Sequence, residues 1–111
     1  MPGVFRMMVF KLLRASEWAT FNADAMFAGS PDDIRDGFIH LSTIEQLPGT
    51  FAKYFADEAD AVVVHLHAEA LGLALRWEPS RGGALFPHLY RALSLDEVLA
   101  AVSAVDEPLL R

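Results

Sequence analysis

Four histidines, at positions 40, 65, 67 and 88, are the side chains of this sequence that titrate near neutral pH without help from their surroundings. His40 lies in Gly37-Phe38-Ile39-His40-Leu41-Ser42, with Thr43 next. Read as a strand entered from an Asp36-Gly37 turn, this segment puts Phe38, His40 and Ser42 on one face and Ile39 and Leu41 on the other. A histidine and a hydroxyl sharing a face at a strand end can hold a polar ligand. A core histidine with both nitrogens hydrogen-bonded locally fits the same pattern, so the residues alone leave both readings open. His65 and His67 stand two apart on a second strand, the geometry of a two-histidine metal pair, and Glu69 follows at the same spacing. Glu69, however, lies close to Gly72, where that strand should already have ended. Val62, Val64 and Leu66 claim the buried face, which leaves the histidines on the less buried one. No metal site is assigned.

A denser cluster runs from Arg76-Trp77-Glu78-Pro79 through Ser80-Arg81-Gly82-Gly83 to Phe86-Pro87-His88-Leu89-Tyr90. Aromatic surfaces can sandwich a base or a nicotinamide ring, while Arg and His fix phosphate or ribose oxygens. A hairpin whose aromatics finish the core and whose charges face solvent would look the same. Gly82-Gly83 is a turn rather than a phosphate loop, because no helix follows it. There is no Gly-x-Ser-x-Gly elbow, no aspartate obviously placed to orient a histidine, and no marked pair of catalytic carboxylates.

The elements that must carry these groups follow from pattern. Val4 to Leu13 reads as a buried strand. Ser16 offers a cap to a short helix from Glu17 to about Asn22. Asn22 to Asp36, with Gly29-Ser30-Pro31-Asp32-Asp33, reads as a long loop of the kind that forms functional rims. Thr43 and Gln46 form a capping-box pair, followed by a turn at Ile44 to Leu47 and a helix from Pro48 to Phe55. Ala61 to His67 is the clearest strand, Leu73 to Trp77 another, and Phe86 to Tyr90 a short extended run. Ser94 and Glu97 form a second capping box opening a short helix. Ala100 to Val105 fits either a last strand or continued helix. Mixed strands with a few short helices make an α+β domain.

The length of 111 residues bounds the chain to one domain, 1–111, and 53% hydrophobic content is enough for a core. A charged fraction of 22% and a mean hydropathy of +0.26 argue against disorder. The formal charge is −6 and Lys11 and Lys53 are the lysines, which excludes broad nucleic-acid binding through counterion release. With no cysteine, disulfides, thiolate metal sites and cysteine nucleophiles are excluded. Met1 to Leu13 carries Arg6 and Lys11 and does not resemble a signal peptide, and no apolar run reaches the ~18 residues of a membrane span. A cytoplasmic location is the expectation.

The motifs Asp36-Gly37-Phe38-Ile39-His40-Leu41-Ser42-Thr43, Arg76-Trp77-Glu78-Pro79 and Phe86-Pro87-His88-Leu89-Tyr90 occur in that order. With Phe10-Lys11-Leu12 and Ala15-Ser16-Glu17-Trp18 before them, the chain from about Met8 to Val105 resembles DUF952, a family of small bacterial proteins of unknown function. The resemblance implies an ADP-ribosyltransferase-like fold, a split and mainly antiparallel β core with short helices and a cleft for NAD. By position it implies His40, Glu78 and His88 as catalytic candidates. It implies Lys11 (where relatives often show His), Ser42, Thr43, Arg76, Trp77 and Tyr90 as nucleotide-binding candidates. NAD would be a substrate rather than a tightly bound cofactor. The implied function is a nucleotide-binding cleft, with ADP-ribosyl transfer or processing of a phosphorylated ribose as its chemistry. The alternative is a non-catalytic module of the same fold that binds a small metabolite or a protein. Under the first reading His40 and His88 share one pre-formed pocket, and Arg76, Arg81 and Lys11 supply its positive charge.

Overall fold

The computed structural model describes residues 7–111, the side chain of Arg81 excepted. Three antiparallel sheets carry the architecture, with short helices between them. The largest has four strands in the order β4 (Ser42–Thr43), β1 (Met8–Leu13), β5 (Val62–His67) and β9 (Ala100–Ser103). A second has three strands in the order β3 (Ile39–His40), β7 (Leu85–Leu89) and β6 (Leu75–Pro79). A small ribbon pairs β2 (Met26–Phe27) with β8 (Leu93–Ser94). The α+β class expected from the pattern is what the chain forms.

The central strands β1 and β5 pair over their full length, from Met8 opposite His67 to Leu13 opposite Val62. Their β-branched and aromatic content suits a pleated surface buried on both faces. One face sends Val9, Leu13, Val64 and Leu66 into a core shared with Phe21, Phe27, Ile39, Leu41, Leu89 and Leu93. The other packs Phe10, Leu12 and Val63 against Leu47 and Phe51 of α3 (Leu47–Tyr54). Lys11 stands two residues from both Val9 and Leu13, shares their face and is therefore carried into the interior with them. Val4, Phe5 and Arg6 of the expected first strand lie outside the described residues.

Several expected boundaries move. The first helix, α1, runs Ala15–Asp24; Glu17 accepts the Arg14 backbone N–H at 2.8 Å, so Arg14 rather than Ser16 takes the capping position. The stretch from Asn22 to Asp36 is not a loop. It contains the end of α1, strand β2 and a helix, α2 (Pro31–Asp36). Pro31 is compatible with that helix because it occupies the first turn, where its missing N–H has no partner to lose. Asp33 then accepts from both the backbone N–H and the hydroxyl of Ser30, each at 2.9 Å, closing the N-terminus. The strand read as Leu73 to Trp77 sits later, because a four-residue helix, α4 (Ala68–Leu71), and a 3₁₀ turn at Gly72–Ala74 precede it. Thr43 and Gln46 do bond reciprocally, at 3.1 and 3.2 Å, ahead of α3. Ser94 and Glu97 close only a 3₁₀ turn at Leu95–Glu97. The undecided segment from Ala100 resolves as strand β9 followed by a 3₁₀ turn at Ala104–Asp106.

The run from Phe38 to Thr43 is two strands in two sheets. Ile39 and His40 pair with Leu89 and His88 of β7, whereas Ser42 and Thr43 pair with Phe10 and Val9 of β1. The chain changes sheets at Leu41, whose N–H still bonds Pro87 O at 3.0 Å. This crossing places His40 at the junction of the two sheets, beside the open side of α2. Among the described residues no helix is long and apolar enough to cross a membrane.

Candidate functional site

A cleft of about 570 Å³ opens at that junction, within the range that small-molecule sites occupy. Its walls include Lys11, Asp33, Arg35, Asp36, His40 and His88, and it extends past Ser42 toward Arg14, Tyr54 and Phe55. Strand register builds the histidine end: His40 lies opposite His88, which lies opposite Arg76, in a row across the three-stranded sheet. The His40 and His88 ring centroids are 5.7 Å apart, edge to face. Phe38 backs both rings, stacked on His88 at 4.0 Å and tilted against His40 at 4.6 Å.

Each histidine is held by carboxylates. His40 Nδ1 lies 2.6 Å from Asp33 Oδ1, and its Nε2 lies 3.0 Å from Asp36 Oδ2. Each ring nitrogen of His40 thus has a carboxylate oxygen beside it, and the pair fixes the plane of the ring. His88 Nδ1 lies 2.8 Å from Glu78 Oε1, and the Tyr90 hydroxyl donates to the same oxygen at 2.7 Å. These donors, Tyr90 first and His88 second, lower the Glu78 carboxyl below its ordinary value. The Glu78 hydrogen bond likewise raises the Tyr90 phenol, against the Arg76 guanidinium that lies 4.7 Å over its ring.

Asp33 is the buried hub. Beyond His40 and Ser30 it accepts from Lys11 Nζ at 2.8 and 3.1 Å and from the His40 backbone N–H at 3.0 Å. Burial alone would raise its pKa, but the His40 hydrogen bond and the Lys11 charge outweigh that and hold it well below the usual carboxylate range. Burial lowers the Lys11 pKa, opposed by Asp33. Lys11 also donates to His40 O at 3.1 Å, so this cation is committed to the protein and steadies the histidine strand from beneath.

Of the residues singled out from sequence, Lys11, His40, Ser42 and His88 line the cleft. Ser42 is buried and donates to the Thr50 hydroxyl at 3.3 Å. Thr43 is occupied with Gln46 and lies outside the lining. Glu78 and Tyr90 stand behind His88, and Arg76 stands over Tyr90. Trp77, opposite Pro87, alternates with Arg76 and Glu78 and so faces the other side of the sheet. The expected positive supply is therefore placed differently: Lys11, though in the wall, is buried with its ammonium committed to Asp33 and His40 O, and Arg76 is off the cleft, while Arg14 and Arg35 also line it. The Arg81 side chain lies outside the described residues.

Asp33 and Asp36 carry no weight in a sequence reading that treats their segment as a loop, yet they orient His40. The signal was the Ser30-Pro31-x-Asp33 helix start, after which Asp36 and His40 fall four apart. At the far end of the main sheet, His65 Nε2 pairs with the buried Glu107, and Phe10 packs edge-on to His65 at 5.0 Å. His67 Nδ1 is buried without a hydrogen-bond partner. Among the described residues no three His, Asp or Glu side chains converge as a metal-ligand set.

Solved structures of a bacterial protein share this architecture. The crystal structure of protein CC0527 from Caulobacter crescentus is 47% identical, with a TM-score of 0.84 over 86% of this chain and 84% of that one. The solution NMR structure of the same protein is also 47% identical, with a TM-score of 0.78 over 86% and 83%. No curated protein matches the sequence. The family model for the protein of unknown function DUF952 matches residues 12–101, from β1 into β9, and so spans the cleft with both of its histidines: the chain belongs to the DUF952 family.

Proposed function

We propose that the cleft binds a ribose-containing nucleotide, NAD or a close relative. The observation that carries this reading is the meeting of His40 and His88, drawn from separate motifs, at one end of a cleft of about 570 Å³. An imidazole held by a carboxylate at one nitrogen, as His88 is by Glu78 at Nδ1, presents its other nitrogen to a ribose hydroxyl in a direction set before the ligand arrives. Arg14 and Arg35 offer forked donors for a diphosphate, and Tyr54, Phe55 and Phe86 supply apolar surface for a base. The split antiparallel core with a cleft at its junction supports the likeness to ADP-ribosyltransferases.

As an enzyme, the protein would break the nicotinamide–ribose bond through an oxocarbenium-like state and pass ADP-ribose to an acceptor. The site would hold the ribose and exclude stray water. A binding module without transfer is the second reading. It is favoured by Glu78, whose Oε1 already accepts from Tyr90 and faces His88 Nδ1 rather than the open cleft. Calorimetry with NAD and ADP-ribose tests the shared part of both readings. Heat of binding that His40→Ala abolishes is the expected result; no heat at millimolar ligand overturns it. Free nicotinamide after incubation with NAD then separates transferase from binder.

A further inference from the structure

Asp36 sits where a ligand oxyanion would sit. Its Oδ1 accepts Arg35 Nε at 2.9 Å, and its Oδ2 accepts Arg35 NH2 at 3.2 Å. The same Oδ2 lies 3.0 Å from His40 Nε2. A forked guanidinium and an imidazole N–H thus converge on one carboxylate at the cleft wall, an arrangement that recognises planar or tetrahedral oxyanions. The two holders of His40 differ in kind. The Asp33 side chain is 1% exposed and tied to Lys11 and Ser30, whereas the Asp36 side chain is 33% exposed. Arg35 is more open still, at 66%. An exposed pair of this sort is weakly held and screened by solvent, so its carboxylate can be exchanged for another anion at little cost. When Asp36 leaves, Asp33 keeps the ring in place with Nε2 facing the cleft.

We propose that Arg35 and His40 form a phosphoryl seat that Asp36 occupies in the empty protein, and that a ligand phosphate enters by displacing the Asp36 carboxylate. Asp36 is then an internal competitor that sets the affinity for anions. Asp32 remains on Arg35 NH1 at 3.1 Å, leaving Nε and NH2 for the incoming oxygens. Arg14, across the cleft, adds positive charge but is shared with Glu17 and Glu58. A carboxylate ligand offers two oxygens and one charge; a phosphate fills the seat with a third oxygen and more charge. This inference rests on the nucleotide reading for the source of the phosphate, and on the seat's own geometry for the rest.

The test is titration with inorganic phosphate, acetate and ADP-ribose, followed by calorimetry and by the His40 ring resonances. The proteins are the wild type, Asp36→Asn, Asp36→Ala, and Asp36→Asn combined with Arg35→Gln. Asn keeps a hydrogen-bonding group beside Arg35, so the two Asp36 variants guard against a folding artefact. Both should bind phosphate at least about tenfold more tightly than wild type, with acetate gaining less and Arg35→Gln removing the gain. Equal phosphate affinity in wild type and both variants overturns the seat, as does a gain that survives Arg35→Gln. If ADP-ribose binds no variant while the phosphate gain appears, the nucleotide reading fails and the seat stands. If ADP-ribose binds wild type and Asp36→Asn equally, the seat fails and the nucleotide reading stands.

Discussion

His40 and His88 face one another across the β3–β7 ladder, and a buried carboxylate hub holds one while a half-exposed glutamate holds the other. Their centroids lie 5.7 Å apart, so a ligand group that reaches one imidazole alters the electrostatic field of the other.

ADP-ribose should therefore perturb the ring resonances of His40 and His88 together in a proton–nitrogen NMR titration. His65 and His67 should stay unmoved, since β5 carries them on the face opposite Lys11 and they do not line the cleft. Added salt should weaken the response, as for any anion held at partly exposed cations. A shift confined to one of the cleft histidines, or an equal response from His65 and His67, would refute a shared pocket.

The Lys11–Asp33 pair should be asymmetric under mutation. Asp33→Asn leaves Lys11 charged and buried without its counter-ion and loosens His40 as well; breaking a buried pair this way costs about 3–5 kcal/mol. Lys11→Met leaves Asp33 with His40 and both Ser30 donors and fills the space with apolar atoms, so about 1–3 kcal/mol is expected. Urea denaturation of the two variants ranks them; Lys11→Met proving the more damaging would show that Asp33 is not the hub.

Asp33 also sets the response to acid. Its native carboxyl sits well below the unfolded value of about 4, so on acidification the unfolded chain binds the proton first. The stabilisation is whole above that value and drains away as pH falls from about 4 through the native pKa. Glu97, lowered first by its Arg91 hydrogen bond, adds to the slope with the same sign. Wild type should lose stability steeply between about pH 4 and pH 2, and Asp33→Asn, though less stable at neutrality, should show the shallower slope. Urea midpoints across that range decide it, and parallel slopes would exclude Asp33 as the source.

What the sequence showed of this site depended on whether a residue's neighbours in space are also its neighbours in the chain. His40 and His88 announce themselves because each sits in an apolar extended run whose alternation is local. Asp33 could not be matched to His40 from spacing, since its role arises only once Pro31 is read as a helix start instead of a turn. Lys11 looked like a free cation because nothing near it in sequence is acidic until Glu17, while its partner is 22 residues away. Trp77 looked like part of the cleft because segment density ignores which face a strand residue takes. The two-sheet path of Phe38 to Thr43 was hidden for the same reason: alternation continues smoothly through Leu41 while the pairing partner changes.

The Glu78–Tyr90–Arg76 cluster predicts opposed shifts of one phenol. Glu78 raises the Tyr90 value and Arg76 opposes it. In a Tyr54→Phe background Tyr90 is the remaining tyrosine of the two, so phenolate absorbance reports it alone. Glu78→Gln should bring the transition down toward an ordinary tyrosine, and Arg76→Ala should move it further up. Movement in the same direction in both variants would contradict the geometry.

The segment leading into α2 fixes the hub. Gly29 has φ +134°, a conformation that side chains rarely adopt, and a Cβ added there would meet Asp33 Cβ at 2.8 Å and Ile34 Cδ1 at 3.3 Å. Asp33 cannot yield, being 2% exposed and held by Lys11, His40 and Ser30, so the start of α2 must shift instead. Gly29→Ala should cost about 1–3 kcal/mol and also move the His40 ring resonances, because the carboxylate is pulled from Nδ1. Gly82 supplies the control. Its φ of +67° is a left-handed value that Asn accepts, and nothing lies within 4 Å of an added Cβ, so Gly82→Asn should change stability little and leave His40 untouched. A Gly29→Ala protein with wild-type stability and unmoved His40 resonances would show that the close approach at Gly29 does not hold Asp33 in place.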